Sequence, residues 1–357
     1  MRILMFGMSS YPGGIENYIA NYFLCEEFSG NITIDFVTYE DSLAYSEKIQ
    51  KYGHTIQFVP HLKKNPIGYL SAVNQLLKAN AYDCVYLNML SAANILPIYC
   101  AVRHGISKIV VHAHANSTVK GFIRKVLHKL NRKYCSKYAH YRLACSRDAG
   151  NWLFDKSAFQ VVPNAIDVAR FSFNEENRKN IRSAYGLTKG AFLIGHVGRF
   201  AEEKNHDFLV DIFASFIEKR PESKLMLVGD GNYRERIEKK VEQLGLKEKV
   251  IFIGTSTETE KYYSAFDCFV FPSVFEGFGM AALEAQANGL KCFCSDTLSN
   301  ELKVTSRLEF LSLESNPAYW TNKIFEETCD CYSRLSEEIP MDFDIVTQRK
   351  KMMEIFQ

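Results

Sequence analysis

The sequence lacks any apolar run near the roughly 20 residues that a helix needs to span a bilayer. Its start, MRILMFGMSS, also lacks the apolar core and the cleavage site of a signal peptide. From these two absences we expect a cytosolic protein. The net charge is only +2 over 357 residues, which excludes a chain whose whole surface binds polyanions. Any charged partner must therefore be bound by a local patch.

Metal-binding patterns are also missing from the sequence. The chain has ten cysteines, but they lack companion cysteines or histidines at the spacing of zinc sites. Most of them lie in apolar, strand-like runs such as CVYLN, RLACS and CFVFP. We therefore expect reduced, buried thiols, and we expect neither disulfides nor a structural metal.

Apolar runs rich in β-branched and aromatic residues alternate with helical stretches along the chain. Because most of these runs are continuous, they predict parallel strands that are buried on both faces. The predicted strands are 2–8, 33–39, 55–60, 84–88, 108–114, 141–146, 159–164, 192–198, 224–230, 250–254, 268–273, 291–296 and 308–312. The alternation predicts an α/β chain with two doubly wound, Rossmann-like domains, joined by a linker in the polar stretch 174–189. Ligands bind beyond the carboxyl ends of such strands, so we expect the site in a cleft between the domains.

Two glutamates flank a glycine-rich turn in the second half of the chain. Glu276 precedes Gly277 and Gly279, which let the backbone approach a ligand, and a helix is predicted from about Met280. Glu284 lies within this helix. Free N–H groups at a helix start bind phosphate, and carboxylates beside them suit ribose or sugar hydroxyls. An acidic residue can instead simply stabilise the helix dipole, so both interpretations stay open on these residues alone.

Two cations follow the predicted strand 192–198. Arg199 can bind a diphosphate in a bidentate manner, and Lys204 can bind it as a point charge. The alternative is a solvated turn whose charge is neutralised by Glu202 and Glu203. The glycines and the aromatic residue of GHVGRF favour the diphosphate interpretation.

The first half of the chain carries a similar, weaker pattern. Gly13 and Gly14 precede a predicted helix, which suits an approach to phosphate, although the GxGxxG fingerprint is absent. His112 and His114 end the predicted strand 108–114 and point to the same side because they are two residues apart. A histidine at a strand end is often structural, but the carboxyl end of a parallel strand is also where ligands bind.

The segment 119–142 predicts a basic amphipathic helix. Its apolar residues, among them Phe122 and Leu130, recur at helical spacing between lysines and arginines, and it contains no acidic residue. We expect the apolar stripe to pack inward and the basic face to lie on anionic lipid, where each basic residue contributes about 1 kcal/mol. Because no nucleic-acid-binding module accompanies the helix, we expect no nucleic-acid partner.

Taken together, these motifs resemble the retaining glycosyltransferases of family 4, which have the two-domain GT-B fold, and most closely the subgroup that builds exopolysaccharide and capsule repeats. The resemblance is carried by SYPGGIENYIANY, VVHAHAN, ACSRDAGNWLF, VVPNAIDVARF, GHVGRFAEEKNH, LMLVGDGNYRERIE, VIFIGTSTE and FPSVFEGFGMAALEAQANGLKCFCSDT, which span almost the whole chain in the family's order. It implies an acceptor-side domain 1–168, a nucleotide-sugar-binding domain 169–342, and a C-terminal helix 343–357 that returns to the first domain.

The resemblance also implies roles for the charged residues. Glu276 matches the glutamate that contacts the hydroxyls of the transferred sugar, and Glu284 matches the one that contacts the ribose. Arg199 and Lys204 match the pair that neutralises the diphosphate as it leaves. His114 matches the histidine beside the reacting sugar carbon.

The rest of the donor site is implied to consist of backbone and turn residues. The backbone of Gly277, Phe278, Gly279 and Met280 matches the phosphate-lining segment, Gly14 matches a glycine that approaches the donor phosphate, and Gly254, Thr255 and Ser256 match the turn that cradles the base. Phe278 and Gly279 are where we expect donor specificity to lie. Two departures, Ala165 for a usual glycine and Lys291 for a common proline, remove no catalytic group and bear on sugar identity alone.

The implied reaction moves a hexose or N-acetylhexosamine, with retention, from a nucleotide-diphosphate sugar to a glycan or polyprenyl-diphosphate-linked acceptor. UDP is the family's commonest carrier. Preorganised cations and helix N–H groups can stabilise the leaving group without a metal, and the single Asp-x-Asp tripeptide, 342–344, suits helix capping. We therefore expect no metal or cofactor. A polyprenyl-diphosphate-linked acceptor would place the enzyme at the inner face of the plasma membrane, so we also expect a peripheral membrane enzyme. The alternatives are a nucleotide-sugar epimerase of GT-B fold and a donor-binding subunit of a transferase complex.

Overall fold

The computed structural model describes residues 1–11, 13–30, 32–115, 121–188, 190–328, 334 and 337–357. Within them the chain forms two compact units, which we call the N-terminal unit (Met1–Ala165 with Ile345–Gln357) and the C-terminal unit (Ile166–Asp344). The sequence-based boundaries after 168 and after 342 lie close to these.

The described part of the N-terminal unit contains a seven-stranded parallel sheet. Its strands are β1 (Arg2–Phe6), β2 (Thr33–Thr38), β3 (Thr55–Phe58), β4 (Cys84–Met89), β5 (Lys108–Ala113), β6 (Tyr141–Ala144) and β7 (Gln160–Val161). Its helices up to this point in the chain are α1 (Gly14–Tyr22), α2 (Ser46–Lys51), α3 (Pro66–Ala79), α4 (Leu96–Arg103), α5 (Phe122–Tyr138) and α6 (Arg147–Phe154). The strand order is β3-β2-β1-β4-β5-β6-β7, so the direction of the winding reverses between β1 and β4.

The described part of the C-terminal unit contains a six-stranded parallel sheet. Its strands are β8 (Leu193–Val197), β9 (Lys224–Val228), β10 (Val250–Gly254), β11 (Cys268–Phe271), β12 (Lys291–Ser295) and β13 (Leu308–Leu311). Its helices are α7 (Val168–Phe171), α8 (Glu175–Ala184), α9 (His206–Lys219), α10 (Arg234–Gln243), α11 (Thr259–Ala265), α12 (Met280–Ala287) and α13 (Pro317–Thr328). The order β10-β9-β8-β11-β12-β13 places the reversal between β8 and β11.

Both sheets are covered by helices on their two faces. In β1, Ile3 and Met5 enter one apolar cluster, whereas Leu4 and Phe6 enter the cluster on the opposite face. The strands of the C-terminal unit divide in the same way between two clusters. Burial on both faces explains why the strands are continuous apolar runs in the sequence. The cysteines that the structure describes are buried, and none of them forms a disulfide.

A last helix, α14 (Ile345–Phe356), belongs to the N-terminal unit. Arg349 Nε donates a hydrogen bond to the carbonyl oxygen of Asn21 at 2.7 Å. Lys108 Nζ donates to the carbonyl oxygen of Ile355 at 2.6 Å, and the buried Met352 joins the apolar cluster beside β1. The end of the chain is thus fixed to the unit that contains its beginning.

The predicted linker 174–189 is wrong, because α8 occupies most of it and packs within the C-terminal unit. The side chain of Asn174 caps this helix by accepting a hydrogen bond from the backbone N–H of Asn177. Arg178 and Arg182 both bind the carboxylate of Asp267, at 2.5 and 3.1 Å. The stretch is polar because its arginines form buried ion pairs. Composition alone cannot distinguish arginines in buried ion pairs from arginines of a solvated linker.

The structure also corrects the orientation expected for the basic helix 119–142, of which residues 119 and 120 lie outside the described residues. In α5 the buried positions are polar or small, such as His128, which stacks on Trp152 with ring centroids 4.1 Å apart. Most of the apolar residues face outward instead: Phe122 is 81% exposed, Ile123 73% and Leu130 66%, whereas Tyr134 and Tyr138, further along the helix, pack partly against the core. The face of α5 that packs inward is set by the contacts of His128 and Cys135. The apolar residues of the first turns lie on the other faces and are therefore exposed. None of the described helices combines the length and the apolarity needed to cross a bilayer.

Candidate functional site

Several of the predicted site residues lie at the points where the strand order reverses, in each unit separately, whereas His114 follows β5 and the turn Gly254 to Ser256 follows β10. In the N-terminal unit, the loop to α1 follows β1, and Asn88 lies near the end of β4. In the C-terminal unit, the loop with Arg199 and Lys204 follows β8, and the loop with Glu276 follows β11. In open parallel sheets, the carboxyl ends of the strands at this reversal form the ligand-binding edge.

Lys204 and Glu276 form an ion pair at this edge of the C-terminal unit. Lys204 Nζ donates to Glu276 Oε1 at 2.6 Å, and the two side chains are only 17% and 12% exposed. Lys204 Nζ also lies 5.0 Å from the centroid of the Phe271 ring. The backbone N–H of Val274 donates to the carbonyl oxygen of Glu203, which joins the two loops. The structure therefore brings these two predicted catalytic residues together.

Arg199 is not part of this pair. Its guanidinium binds Glu203 Oε1 at 2.8 Å, and its side chain is 69% exposed. This contact matches the neutralised turn that the sequence left open as an alternative for Arg199. A bound anion could still attract the guanidinium, because an exposed ion pair of this type contributes at most about 1 kcal/mol.

Two glycines that sequence reasoning missed position the Arg199 loop. Gly229 has φ +139°, and a Cβ atom there would lie 2.0 Å from the carbonyl oxygen of Gly198. Gly231 has φ +154°, and its Cβ atom would lie 2.4 Å from the carbonyl oxygen of Phe200. The loop after β8 therefore packs backbone to backbone on the loop after β9. The GDG sequence at the end of a predicted strand is the signal that could have indicated this approach.

The start of α12 offers free N–H groups beside Glu276. Gly279, at φ +95°, is the N-cap, and the first hydrogen bond of the helix runs from the N–H of Ala282 to the carbonyl oxygen of Gly279. The N–H groups of Met280 and Ala281 have no recorded partner among the described residues. Helix starts of this kind bind anions.

The side chain of Phe278, a residue at which we expect donor specificity, is turned into the protein. Its side chain is only 5% exposed and stacks on Phe343 with ring centroids 5.6 Å apart. Only its backbone can line a ligand, together with that of Gly277, where a Cβ atom would meet nothing within 4 Å. The exposed side chains of this loop are Val274 and Phe275, each 50% exposed.

Glu284 lies in α12, where its carboxylate accepts a hydrogen bond from the hydroxyl of Tyr263 at 2.8 Å. Burial raises the pKa of Glu284 to about 7, although Tyr263 and the cation of Arg170 act in the opposite direction. The same hydroxyl lies 3.0 Å from the carbonyl oxygen of Ala281, so its single proton is shared between this oxygen and the carboxylate, which holds Glu284 against the helix. Sequence reasoning missed Tyr263, because nothing local in YYSAF indicates which tyrosine turns inward.

The predicted base-binding turn closes the same edge of the C-terminal unit. Gly254 ends β10 with φ +86°, and its carbonyl oxygen accepts a hydrogen bond from the N–H of Gly229 at 2.8 Å. Thr255 is exposed, and Ser256 Oγ accepts a hydrogen bond from the N–H of Glu258 at 3.1 Å, just before α11. The turn is thus attached to the glycine loop that also supports Arg199.

In the N-terminal unit, the α1 start combines an open glycine with a fixed carboxylate. A Cβ atom on Gly14 would meet nothing within 4 Å, whereas one on Gly13 would lie 2.8 Å from the carboxylate of Glu16. Glu16 Oε1 accepts hydrogen bonds from the N–H and the hydroxyl of Ser9, at 2.9 and 2.8 Å. The buried Glu16, which sequence reasoning missed, thereby holds the loop between β1 and α1.

The two histidines of the predicted strand 108–114 have different surroundings. His112 is fully buried, and its Nδ1 lies 2.8 Å from the hydroxyl of Tyr86. His114 follows the last residue of β5, is partly exposed, and has its Nε2 atom 2.9 Å from Asn88 Oδ1. Burial lowers the pKa of His114 to about 3 and that of His112 well below its ordinary value. Both histidines are therefore neutral near pH 7. His114 is the accessible one, and His112 supports the sheet.

No group of three or more histidine, cysteine or acidic side chains is arranged to hold a metal ion within the part of the chain that the structure describes. The absence of a metal from the reaction stays a prediction.

Comparisons with known proteins agree on one family and one fold. The family profile described as "Glycosyl transferases group 1" matches residues 177–309. The putative glycosyltransferase EpsF of Bacillus subtilis is 31% identical over 323 residues, which cover 87% of this chain and 84% of that protein. The UDP-Gal:alpha-D-GlcNAc-diphosphoundecaprenol alpha-1,3-galactosyltransferase of Escherichia coli is 27% identical over 277 residues, covering 72% and 70% of the two chains.

Solved structures are similar over the whole chain. Anabaena Alr3699/HepE in complex with UDP has a TM-score of 0.82 at 19% identity and covers 100% of this chain and 99% of its own. A glycosyltransferase from Rickettsia africae has a TM-score of 0.80 at 15% identity, with 99% and 97% covered. At these identities the likeness shows the fold alone. It confirms the predicted GT-B class of two Rossmann-like domains.

Proposed function

The chain belongs to the group 1 glycosyltransferases, and on this basis we propose that it moves a hexose or N-acetylhexosamine from a UDP-sugar to a glycan or polyprenyl-diphosphate-linked acceptor, with retention at the anomeric carbon. The Escherichia coli relative supports the donor and the lipid-linked acceptor, since its name specifies both for that protein. Names that specify transferases also favour transfer over the epimerase and the binding-subunit alternatives.

The observation that carries this proposal is the Lys204–Glu276 pair beside the free N–H groups of α12. A leaving nucleoside diphosphate gains negative charge on its β-phosphate, and preorganised donors stabilise such charge most strongly where water is excluded. Lys204 and the N–H groups of Gly277 to Ala281 supply these donors. Glu276 accepts hydrogen bonds from hydroxyls of the transferred sugar.

The other predicted residues complete the donor site. Glu284 binds the ribose hydroxyls through its carboxylate, and the turn Gly254 to Ser256 binds the base. Arg199 leaves Glu203 to bind the diphosphate, and the N–H groups at Gly14 suit an approach to a donor phosphate. His114 contacts the transferred sugar. The leaving group and the acceptor occupy the same face of the sugar, which yields retention, and no metal or cofactor takes part.

Glu276→Ala tests this assignment. UDP should still raise the unfolding temperature of the variant, because ligand binding stabilises the native state, whereas transfer from the sugar nucleotide should be abolished. A wild-type screen with UDP-glucose, UDP-galactose, UDP-N-acetylglucosamine and the matching GDP- and ADP-sugars identifies the donor. Full transfer by the Glu276→Ala variant would contradict the assigned role. Loss of wild-type activity in EDTA would contradict the metal-free mechanism.

We further propose that α5 lies on the inner face of the plasma membrane. Its outward apolar residues, Phe122, Ile123 and Leu130, stand beside the exposed cations Lys125 and Lys129. Exposed apolar groups insert at the boundary between head groups and acyl chains, and lysines attract anionic lipids. The Escherichia coli relative is named for a lipid-linked acceptor, a diphosphoundecaprenol compound, which supports a membrane-bound acceptor for this chain.

Cosedimentation with vesicles tests this contact. We expect binding to phosphatidylglycerol vesicles at low salt, weaker binding to phosphatidylcholine, and loss of binding in the Lys125/Lys129/Lys133→Ala variant. Phe122/Ile123/Leu130→Ser should weaken binding at every salt concentration. The control variant Lys179/Lys239/Lys247→Ala removes the same charge from exposed positions of the C-terminal unit. Equal loss in the control and in the α5 lysine variant would contradict a specific role of α5.

A further inference from the structure

The side chain of Asn88 is held by two contacts that fix its orientation. Its Nδ2 atom donates to the carbonyl oxygen of Phe6 at 3.0 Å, and its Oδ1 atom lies 2.9 Å from His114 Nε2. The side chain is buried, so both ends must be satisfied within the protein. A carbonyl oxygen only accepts, so the amide NH₂ group must face Phe6, and the amide oxygen must face His114.

The orientation of Asn88 decides which nitrogen of His114 carries the proton. The Oδ1 atom only accepts, so His114 Nε2 must be the N–H donor. Because burial lowers the pKa of His114 to about 3, the ring is neutral near pH 7 and has a single N–H. The other nitrogen, Nδ1, is therefore left with a free lone pair, and it makes no hydrogen bond within the described part of the chain.

We propose that Asn88 is a positioning residue that fixes His114 as the Nε2–H tautomer, so that Nδ1 accepts a hydrogen bond from a hydroxyl group of the transferred sugar. The second half of this statement rests on the proposed function. It makes His114 an acceptor toward the substrate, and a specificity group for a sugar that has a hydroxyl at that position.

The backbone around Asn88 and His114 holds both side chains. Gly7 has φ +102°, and a Cβ atom there would lie 2.3 Å from the carbonyl oxygen of Asn88. Glycine thus permits the close approach of β1 to β4 that places the Phe6 carbonyl against the amide. On the other side, the N–H of His114 donates to the carbonyl oxygen of Met89, which extends the β4–β5 pairing by one residue.

The chain offers a matched control for this pair. His104 Nε2 lies 2.9 Å from Asn74 Oδ1, the same atoms at the same distance, but this contact is on the surface of the N-terminal unit. Substitution of Asn74 removes an equivalent hydrogen bond away from the predicted site.

Ring ¹⁵N NMR of histidine-labelled protein without ligand measures the tautomer directly, and His114→Gln assigns the signals. We expect an N–H type shift for His114 Nε2 and an unprotonated shift for Nδ1. A protonated Nδ1 in the neutral ring would overturn the proposal, whatever the substrate of the enzyme is. The NMR result does not depend on turnover. If the wild type turned over no UDP-sugar, the proposed function would be contradicted, but the spectrum would still show which nitrogen of His114 carries the proton.

Variants test whether Asn88 matters for turnover. Asn88→Leu should lower kcat/KM by about ten-fold with the UDP-sugar that the donor screen selects, and its Nε2 shift should move from the wild-type value, whereas Asn74→Leu should change neither. Asn88→Asp loses the hydrogen bond to the Phe6 carbonyl but keeps an acceptor for Nε2–H. It should therefore keep the proton on Nε2 of His114, which tests the idea even if Asn88→Leu fails to fold. Wild-type kcat/KM and shifts in Asn88→Leu, or loss of the Nε2–H tautomer in Asn88→Asp, would overturn the positioning role.

Modified UDP-glucose, if this is the donor selected, tests the direction of the hydrogen bond. Replacing each sugar hydroxyl in turn by hydrogen or fluorine should be equally harmful at every hydroxyl that donates to an acceptor, because fluorine cannot donate. The position bound by Nδ1 is distinguished from those bound by Glu276, because only its sensitivity should be lost when His114 is replaced. The opposite result would be a fluoro sugar that is active at a position where the deoxy sugar is not, with a difference that disappears when His114 is replaced. His114 would then be a donor, and the proposal would fail.

Discussion

Lys204 Nζ lies 2.6 Å from Glu276 Oε1, although we propose that the two side chains bind different parts of the sugar donor. Lys204 is assigned to the diphosphate and Glu276 to the sugar hydroxyls. Each compensates the charge of the other within the protein, at 17% and 12% exposure. A bound donor must therefore replace this pairing with a phosphate for the cation and with hydroxyl groups for the carboxylate.

A double-mutant cycle measures how strongly the pair is coupled. Lys204→Met should lower the free energy of unfolding by about 2 kcal/mol, because it leaves the Glu276 carboxylate with little solvent and no cation. The double variant with Glu276→Gln should recover most of this loss in urea unfolding. The pair Lys239–Glu235 has the same 2.6 Å distance but is exposed, so its cycle should show no measurable coupling. Equal coupling in the two cycles would contradict our account.

Glu284 should make the stability of the protein depend on pH. Its native pKa of about 7 lies above the value near 4.3 of an unfolded glutamate, so the native state binds more protons between these values. Stability present at acidic pH is therefore lost as the pH rises through about 7. Glu284→Gln should raise the free energy of unfolding by on the order of 2 kcal/mol at pH 8 and change it little at pH 5.

The same substitution should weaken donor binding, because the amide is a poorer acceptor for ribose hydroxyls than a carboxylate. Thermal unfolding at both pH values, with and without UDP, measures the two effects together. Glu314→Gln, at an exposed position of the same unit, is the control and should show neither. If Glu284→Gln were less stable than wild type at pH 8, the raised pKa would be contradicted.

The strands of both units could be predicted from the sequence because their signal is local. Each described strand starts and ends within a few residues of a predicted run, since burial on both faces requires a continuous apolar segment. The predicted position of Glu284 in a helix that begins near Met280 also agrees with α12, because the glycine turn that precedes the helix is a local signal too.

Long-range side-chain partners could not be predicted, because they depend on residues far apart in the sequence. Lys204 pairs with Glu276, 72 residues further along the chain, whereas Arg199 in the same loop pairs with Glu203, the local partner that the sequence offers. Asn88 is separated from His114 by 26 residues, and its role depends on a carbonyl group of β1. The α5 stripe was assigned to the wrong side because periodicity defines two faces without saying which one the sheet covers.

Gly14→Ala tests the predicted phosphate approach at α1 without disturbing the fold. A Cβ atom there meets nothing within 4 Å, and alanine is favoured over glycine in a helix by roughly 0.5–1 kcal/mol, so stability should stay the same or rise. Turnover of the donor should nevertheless fall, because the methyl group would crowd a phosphate that approaches the backbone. Unchanged kcat/KM would remove Gly14 from the site.

Gly229→Ala tests whether the glycine loop after β9 supports the donor site. The added Cβ atom would lie 2.0 Å from the carbonyl oxygen of Gly198, which is backbone and cannot rotate away, and φ +139° is unfavourable for alanine. We expect a loss of about 2–4 kcal/mol in the free energy of unfolding. The loop that carries Arg199 should shift, so UDP should stabilise the variant less than it stabilises the wild type.

Gly190→Ala is the matched control for this substitution, since its Cβ atom would meet nothing within 4 Å. Its unfolding free energy should stay within about 0.5 kcal/mol of wild type, as for most surface changes. The comparison separates the combined effect of the steric contact and of the positive φ at Gly229 from the general effect of replacing a glycine. If Gly229→Ala were as stable as Gly190→Ala and bound UDP normally, the two loops would not be in the backbone contact that we describe, and Arg199 would need another support.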